Sequence, residues 1–150
     1  MKKILYVIIG VLVIIQFIPA NLPEVSSDNP NDLLLNNPDI KVDVKLILKT
    51  SCYDCHSNET YYPWYSYVAP ISFLVSRDTR EGREELNFSE WTTYKKSDMA
   101  GLLDDISEEV SEGEMPMKIF TIIHRDAVLS DNEKEIVVSW ADDFTESLFE

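Results

Sequence analysis

The sequence predicts an all-α domain behind an N-terminal apolar segment. Three observations carry this expectation. Apolar residues recur at helical spacing, as at Met99, Leu102, Leu103, Ile106 and Val110. A full helix-start signal, the capping box Ser130-Asp131-Asn132-Glu133, precedes another such run. No strand-like alternation of useful length occurs in the 150 residues.

Lys2 and Lys3 open the chain, and an apolar run from Ile4 to Ile18 follows, interrupted by Gln16 and closed by Pro19. A basic start and an apolar run make an export signal or a signal-anchor. The run falls short of the roughly 20 residues that span a bilayer comfortably, but flanking lysines can snorkel. A cleavage site wants small residues, and Ile18 stands two positions before Ala20. Residues 1–20 are therefore read as a single-pass transmembrane anchor of the cytoplasmic (inner) membrane in preference to a cleaved signal peptide. The positive-inside rule puts the remainder in the periplasm or an equivalent extracytoplasmic space. No cysteine follows the run, which excludes a lipoprotein anchor.

Residues 21–40 hold Pro23, Pro30 and Pro38 among Asn, Asp and Ser, and read as a linker. Residues 41–150 are the domain, of single-domain size. Val42 to Lys49 predicts a short helix with Val42 and Leu46 on one face. Pro63 and Pro70 bracket an aromatic loop. A helix from Ile71 to about Leu86 follows, Ser89 caps the next start ahead of Trp91, and a helix covers Ser97 to Ser111. The capping box opens a last helix with Ile136, Val137, Trp140, Ala141, Phe144 and Leu148 on one stripe.

The formal net charge is −14, with 27 acidic against 13 basic residues, two of them the opening lysines. Such acidity argues against nucleic acid, whose binding needs basic patches, and against lying on anionic lipid. It suits solubility, or a basic protein partner.

The chemistry concentrates at Cys52-Tyr53-Asp54-Cys55-His56. These are the only two cysteines and one of two histidines. C-x-x-C-H is the spacing of c-type haem attachment: two thiols form thioethers with the haem vinyls and the adjacent imidazole ligates the iron. The rivals are weaker. A thioredoxin-like dithiol wants a βαβ context and leaves His56 without a role. Zinc wants four ligands, and beyond the motif only His124 remains. A disulfide closing so small a loop stabilises little. Thioether attachment takes place outside the cytoplasm, which agrees with the N-terminal segment.

The iron's second axial position is Met, His, water or open. Gly113-Glu114-Met115-Pro116-Met117 lies between two predicted helices, and Met115 is the preferred ligand, with Met117 and His124 as alternatives. Methionine ligation raises the potential and fills the site, which points to electron transfer. Tyr61, Tyr62, Trp64 and Tyr65, close to His56 in sequence, are expected to wall the macrocycle or simply to pack a core. Arg77, Arg80 and Arg83 are expected to pair with neighbouring acids more readily than with propionates.

Further blocks stand in order: Cys-Tyr-Asp-Cys-His-Ser-Asn-Glu-Thr (52–60), Tyr-Pro-Trp-Tyr (62–65), Ala-Pro (69–70), Glu-Gly-Arg (81–83), Leu-Asn-Phe-Ser-Glu-Trp (86–91), Gly-Glu-Met-Pro (113–116) and His-Arg-Asp-Ala-Val-Leu-Ser (124–130). From Val42 to Trp140 the chain resembles the bacterial haem-binding domain family of exported C-x-x-C-H proteins, often membrane-anchored. The resemblance implies one covalent haem c on Cys52 and Cys55, His56 as axial ligand, and Met115 within the family's Gly-Glu-Met-Pro block. His124 also matches the pattern, which keeps bis-histidine ligation open.

The expected molecule is thus a small c-type-cytochrome-like helical domain, an electron carrier rather than an enzyme. It serves a redox partner protein at the periplasmic face of the cytoplasmic membrane. The alternative is a haem-based sensor or peroxidase-like enzyme with an exchangeable sixth ligand, and the fallback a haem-free dithiol or metal-binding module.

Overall fold

The computed structural model describes residues 2–150, and among them the regular structure is entirely helical. In chain order the helices are α1 (Lys2–Ile14), α2 (Leu33–Asn36), α3 (Val42–Ser51), α4 (Tyr53–His56), α5 (Ile71–Glu85), α6 (Lys96–Glu112), α7 (Lys118–Ile123) and α8 (Asp131–Ser147). Short 3-10 turns lie at Trp64–Tyr67, Phe88–Thr93 and Arg125–Ala127. The all-α expectation holds.

α6 and α8 form an antiparallel pair. Lys96 at the start of α6 bonds the carbonyl of Leu148, Ser107 meets Asp142, and Lys134 lies beside Gly113 at the far end. Their seam is Leu103 and Val110 against Val137 and Ala141, all buried. The α8 start follows its sequence signal: Ser130 Oγ accepts from the Glu133 N–H at 3.3 Å, and the Glu133 carboxylate accepts from the Ser130 N–H at 2.8 Å. An aromatic series joins this pair to the motif. Tyr53 stacks on Phe88 with ring centroids 5.0 Å apart, Phe88 packs on Trp91 at 6.5 Å, and Trp91 stacks on Phe144 of α8 at 5.9 Å. Phe88 and Trp91 are essentially inaccessible. Truncating either to Ala costs about 3–5 kcal/mol.

Three sequence expectations need correction. The buried face of α3 is Val44, Ile47, Leu48 and Ser51, whereas Val42 is 71 % and Leu46 64 % exposed. The stripe at i, i+3, i+4, i+7 is the fuller helical pattern, and it wins.

Residues 21–40 are a strap packed on the domain, not a free linker. Leu33 is fully buried and Asp32 caps α2, accepting from the N–H groups of Leu34 and Leu35 at 2.9 and 3.2 Å. The strap's carbonyls accept from distant groups: Asn31 O from Thr92 N–H at 3.1 Å, Glu24 O from Arg83 at 2.7 Å, Asn21 O from Ser76 Oγ at 2.9 Å.

The transmembrane-helix expectation is not met. α1 has 13 residues, about 20 Å at 1.5 Å per residue, against an apolar bilayer core of about 30 Å. Among the described residues no helix is long and apolar enough to cross a membrane.

Candidate functional site

α3 ends at Ser51, and Cys52 (φ −124°, ψ −44°) breaks the helix before the single turn of α4. The Cys52 carbonyl accepts from both Cys55 N–H (3.1 Å) and His56 N–H (3.0 Å). Residues three apart on a turn share a face, so the two side chains stand side by side. Both thiols are free.

The turn is clasped from several directions. The Tyr53 hydroxyl reaches Asp32 of the strap at 3.3 Å. Ser57 Oγ donates to the Tyr53 carbonyl at 2.8 Å and accepts from Glu59 N–H at 3.0 Å. Ser89 Oγ accepts from Asn58 N–H at 2.9 Å, and Asn87 Nδ2 donates to Asn58 Oδ1 at 3.0 Å. The sequence blocks 52–60 and 86–91 are therefore two halves of one clasp.

His56 is oriented by a backbone group. Leu86 leaves α5 in extended conformation, and its carbonyl lies 3.2 Å from His56 Nδ1. The hydrogen on Nδ1 goes to that carbonyl, and Nε2 keeps its lone pair. Burial lowers the imidazole pKa below its ordinary value, favouring the neutral form that binds metal. α5 can pass this closely because residue 82 is glycine: a Cβ there would stand 2.9 Å from the Cys55 carbonyl oxygen.

Cys52, Cys55 and His56 line a groove of about 620 Å³, within the range of cofactor-sized sites. Leu102, Ile106 and Val110 of α6 and Phe88 give it apolar walls. Met115, Pro116 and Met117 also line it. Gly113 (φ 76°) ends α6 in the left-handed conformation, and the N–H groups of Glu114 and Met115 both donate to the Glu109 carbonyl, at 3.0 and 3.1 Å. That reversal carries Met115 to the groove. Its rim is acidic, with Glu81, Glu85, Asp105, Glu108 and Glu109 beside Arg77.

The fold brings together Cys52, Cys55, His56, Met115 and Met117. It does not bring His124 to this groove: that ring stacks on Phe120 at 4.1 Å and hydrogen-bonds the Tyr65 hydroxyl. Trp64 and Tyr61, expected to wall the macrocycle or to pack a core, do neither: they are 78 % and 74 % exposed and lie outside the groove lining. Arg77 pairs with Asp78 at 2.7 Å, as expected, while Arg80 and Arg83 hold strap carbonyls instead. Sequence reasoning missed the Leu86 carbonyl, which no side chain announces, and Gly82. A glycine inside an otherwise helical pattern was the available signal.

The donor set suits haem better than its rivals. Burial pushes Cys52 and Cys55 up to about 12, the reverse of the low-pKa thiolate a redox dithiol needs. Among the described residues no group of three or more His, Cys, Asp or Glu is placed to hold a metal ion. A neutral histidine with Nε2 free, two adjacent thiols and a thioether around an apolar groove are the groups a c-type haem takes.

The model of the haem-binding domain family matches residues 10–143. No curated protein matches the chain, and no solved structure matches it.

Proposed function

The chain belongs to the haem-binding domain family, and from that premise we propose that it carries one haem c, bonded to Cys52 and Cys55 and ligated by His56, and acts as an electron carrier outside the cytoplasm. The observation that carries the reading is the His56–Leu86 hydrogen bond of 3.2 Å beside two free thiols on one groove. The carbonyl fixes the tautomer and ring plane and makes the imidazole a stronger donor. Bound haem supplies one-electron chemistry. The apolar residues of α6 keep water from the site, and Met115 offers the thioether for the second axial position. A soft neutral ligand there raises the potential and closes the site to exogenous ligands. The acidic rim favours a basic redox partner, steering its approach.

Location follows from the chemistry of thioether attachment, with Lys2, Lys3 and the apolar stretch to Ile18 serving as the export signal. The test is retention. Protein made in cells with the c-type haem ligation machinery should keep its haem through denaturation and acid–acetone extraction, and Cys52→Ala with Cys55→Ala should abolish retention. Haem that washes out of the wild type sinks the covalent reading. Carbon monoxide binding by the untreated wild type would transfer the function to the sensor or enzyme reading.

A further inference from the structure

Next to the groove, across Cys55, Met117 and Phe120, lies an apolar expanse with no cover in this chain. Residues 61–76 contain no charged side chain, and Trp64, Tyr67, Val68 and Ile71 among them are exposed. α7 adds Ile119, Ile122 and Ile123, each more than half exposed. The two stretches meet, since Ile71 and Val75 share a small cavity with Ile119 and Ile123. The N-terminal segment joins the same expanse. The Gln16 side chain pairs with the Ala69 backbone in both directions, donating to its carbonyl at 2.9 Å and accepting from its N–H at 3.0 Å. From Ile4 to Pro23 there is no charge either, and α1 has no buried residue. Contiguous exposed apolar surface on this scale marks an interaction site.

Three features select a lipid surface as its occupant. Continuity with α1 is the first: a helix apolar on every side suits lipid rather than a one-sided protein groove. The exposed aromatics are the second, because Trp and Tyr settle at the headgroup level of bilayers. Charge placement is the third. Lys118, 4.0 Å from the Glu114 carboxylate, opens α7 and Arg125 lies just past its end; both are exposed, where basic side chains can reach lipid phosphates. α6 and α8 together carry 12 of the 27 acidic residues, none of them within 61–76 or 118–124. Asp54, which borders the patch, is engaged by the Tyr61 N–H at 2.9 Å.

We propose that the Trp64–Ile71 turn and the isoleucines of α7 rest in the interfacial layer of a bilayer, beside α1. The domain is then seated on the membrane by its own face and does not merely trail from its N-terminus. This inference does not use the haem assignment, so either can fail without the other.

Full-chain holoprotein is reconstituted into vesicles of phosphatidylcholine containing a lipid with a photoactivatable diazirine in its acyl chain. Irradiation should give lipid adducts on peptides covering 61–76 and 118–124 as well as on α1. In a Trp64→Ser, Ile122→Asn, Ile123→Asn variant, all at exposed positions, adducts on those two peptides should fall at least about tenfold with α1 labelling unchanged. Adducts confined to α1 in the wild type overturn the proposal. So does a concentration-dependent dimer that the same variant abolishes without any change in lipid labelling, which would make the face a contact between copies.

Discussion

At the scale of single residues, the side chains that would ligate a bound haem decide what it can do. Met115 and Met117 both line the groove, whereas His124, held by Tyr65 and Phe120, lines the adjoining small cavity with Cys55 and Met117. Met115→Ala should remove the weak far-red charge-transfer band of the oxidised protein. It should also lower the potential by on the order of 0.1 V, given the range over which axial ligands act, and admit carbon monoxide. Met117→Ala and His124→Ala should leave all three readouts in place. The same changes produced by His124→Ala instead would make the haem bis-histidine. Glycines provide a second, matched test. A Cβ at Gly82 meets the Cys55 carbonyl oxygen at 2.9 Å, while one at Gly101, inside α6, meets nothing within 4 Å. Gly82→Ala should destabilise by about 1–3 kcal/mol as backbone is forced apart and reduce haem loading. Gly101→Ala should be stabilising by about 0.5–1 kcal/mol. Urea unfolding and the haem-to-protein absorbance ratio check both.

At the scale of elements, α6 and α8 were legible because each buries an apolar stripe at helical spacing, and α8 carries its cap in four adjacent residues; α5 buries only Ser72, Ser76 and Thr79. The strap was not legible. Its bonds to the domain reach across as many as 61 positions, as in Ser76 to Asn21 and Thr92 to Asn31, and most use backbone carbonyls that composition cannot reveal. The site divides in the same way. Cys52, Cys55 and His56 announce themselves by type and spacing, but the Leu86 carbonyl that orients His56 is invisible in sequence. Ser130→Ala, which breaks the legible cap, should cost about 1 kcal/mol at neutral pH. Hydrogen bonds from Ser130 hold the Glu133 carboxyl below its ordinary 4.5. A lowered folded value means this carboxylate's contribution is complete above about 4.5 and lost as pH falls through the folded value. The difference between wild type and Ser130→Ala in urea should therefore shrink from pH 7 to pH 3. A constant difference would show that the carboxylate plays no part.

At the scale of the whole molecule, the chain joins an apolar N-terminal segment, a strap and a helical haem-binding domain, with 12 of its 27 acidic residues on α6 and α8. If residues 1–20 act as the export signal proposed above, a phosphatase reporter fused after Glu150 should be active; activity of a cytoplasm-only reporter would refute export. Arg83 ties the strap to the motif region, donating to Glu24 O at 2.7 Å and Thr60 Oγ1 at 2.9 Å. That clasp imposes a timetable on synthesis. An N-terminus-first chain presents residues 21–40 and then the two thiols before Ser76, Gly82, Arg83, Leu86 and Thr92 exist to close over them. Long-range closures wait on the later partner. For that interval Cys52 and Cys55 are fully in water, whereas in the folded chain both are only partly exposed, on the groove wall. If haem is joined to the two thiols as proposed, the strap sets the order of assembly: attachment has the freest access on the open chain, and closure of the strap narrows that access.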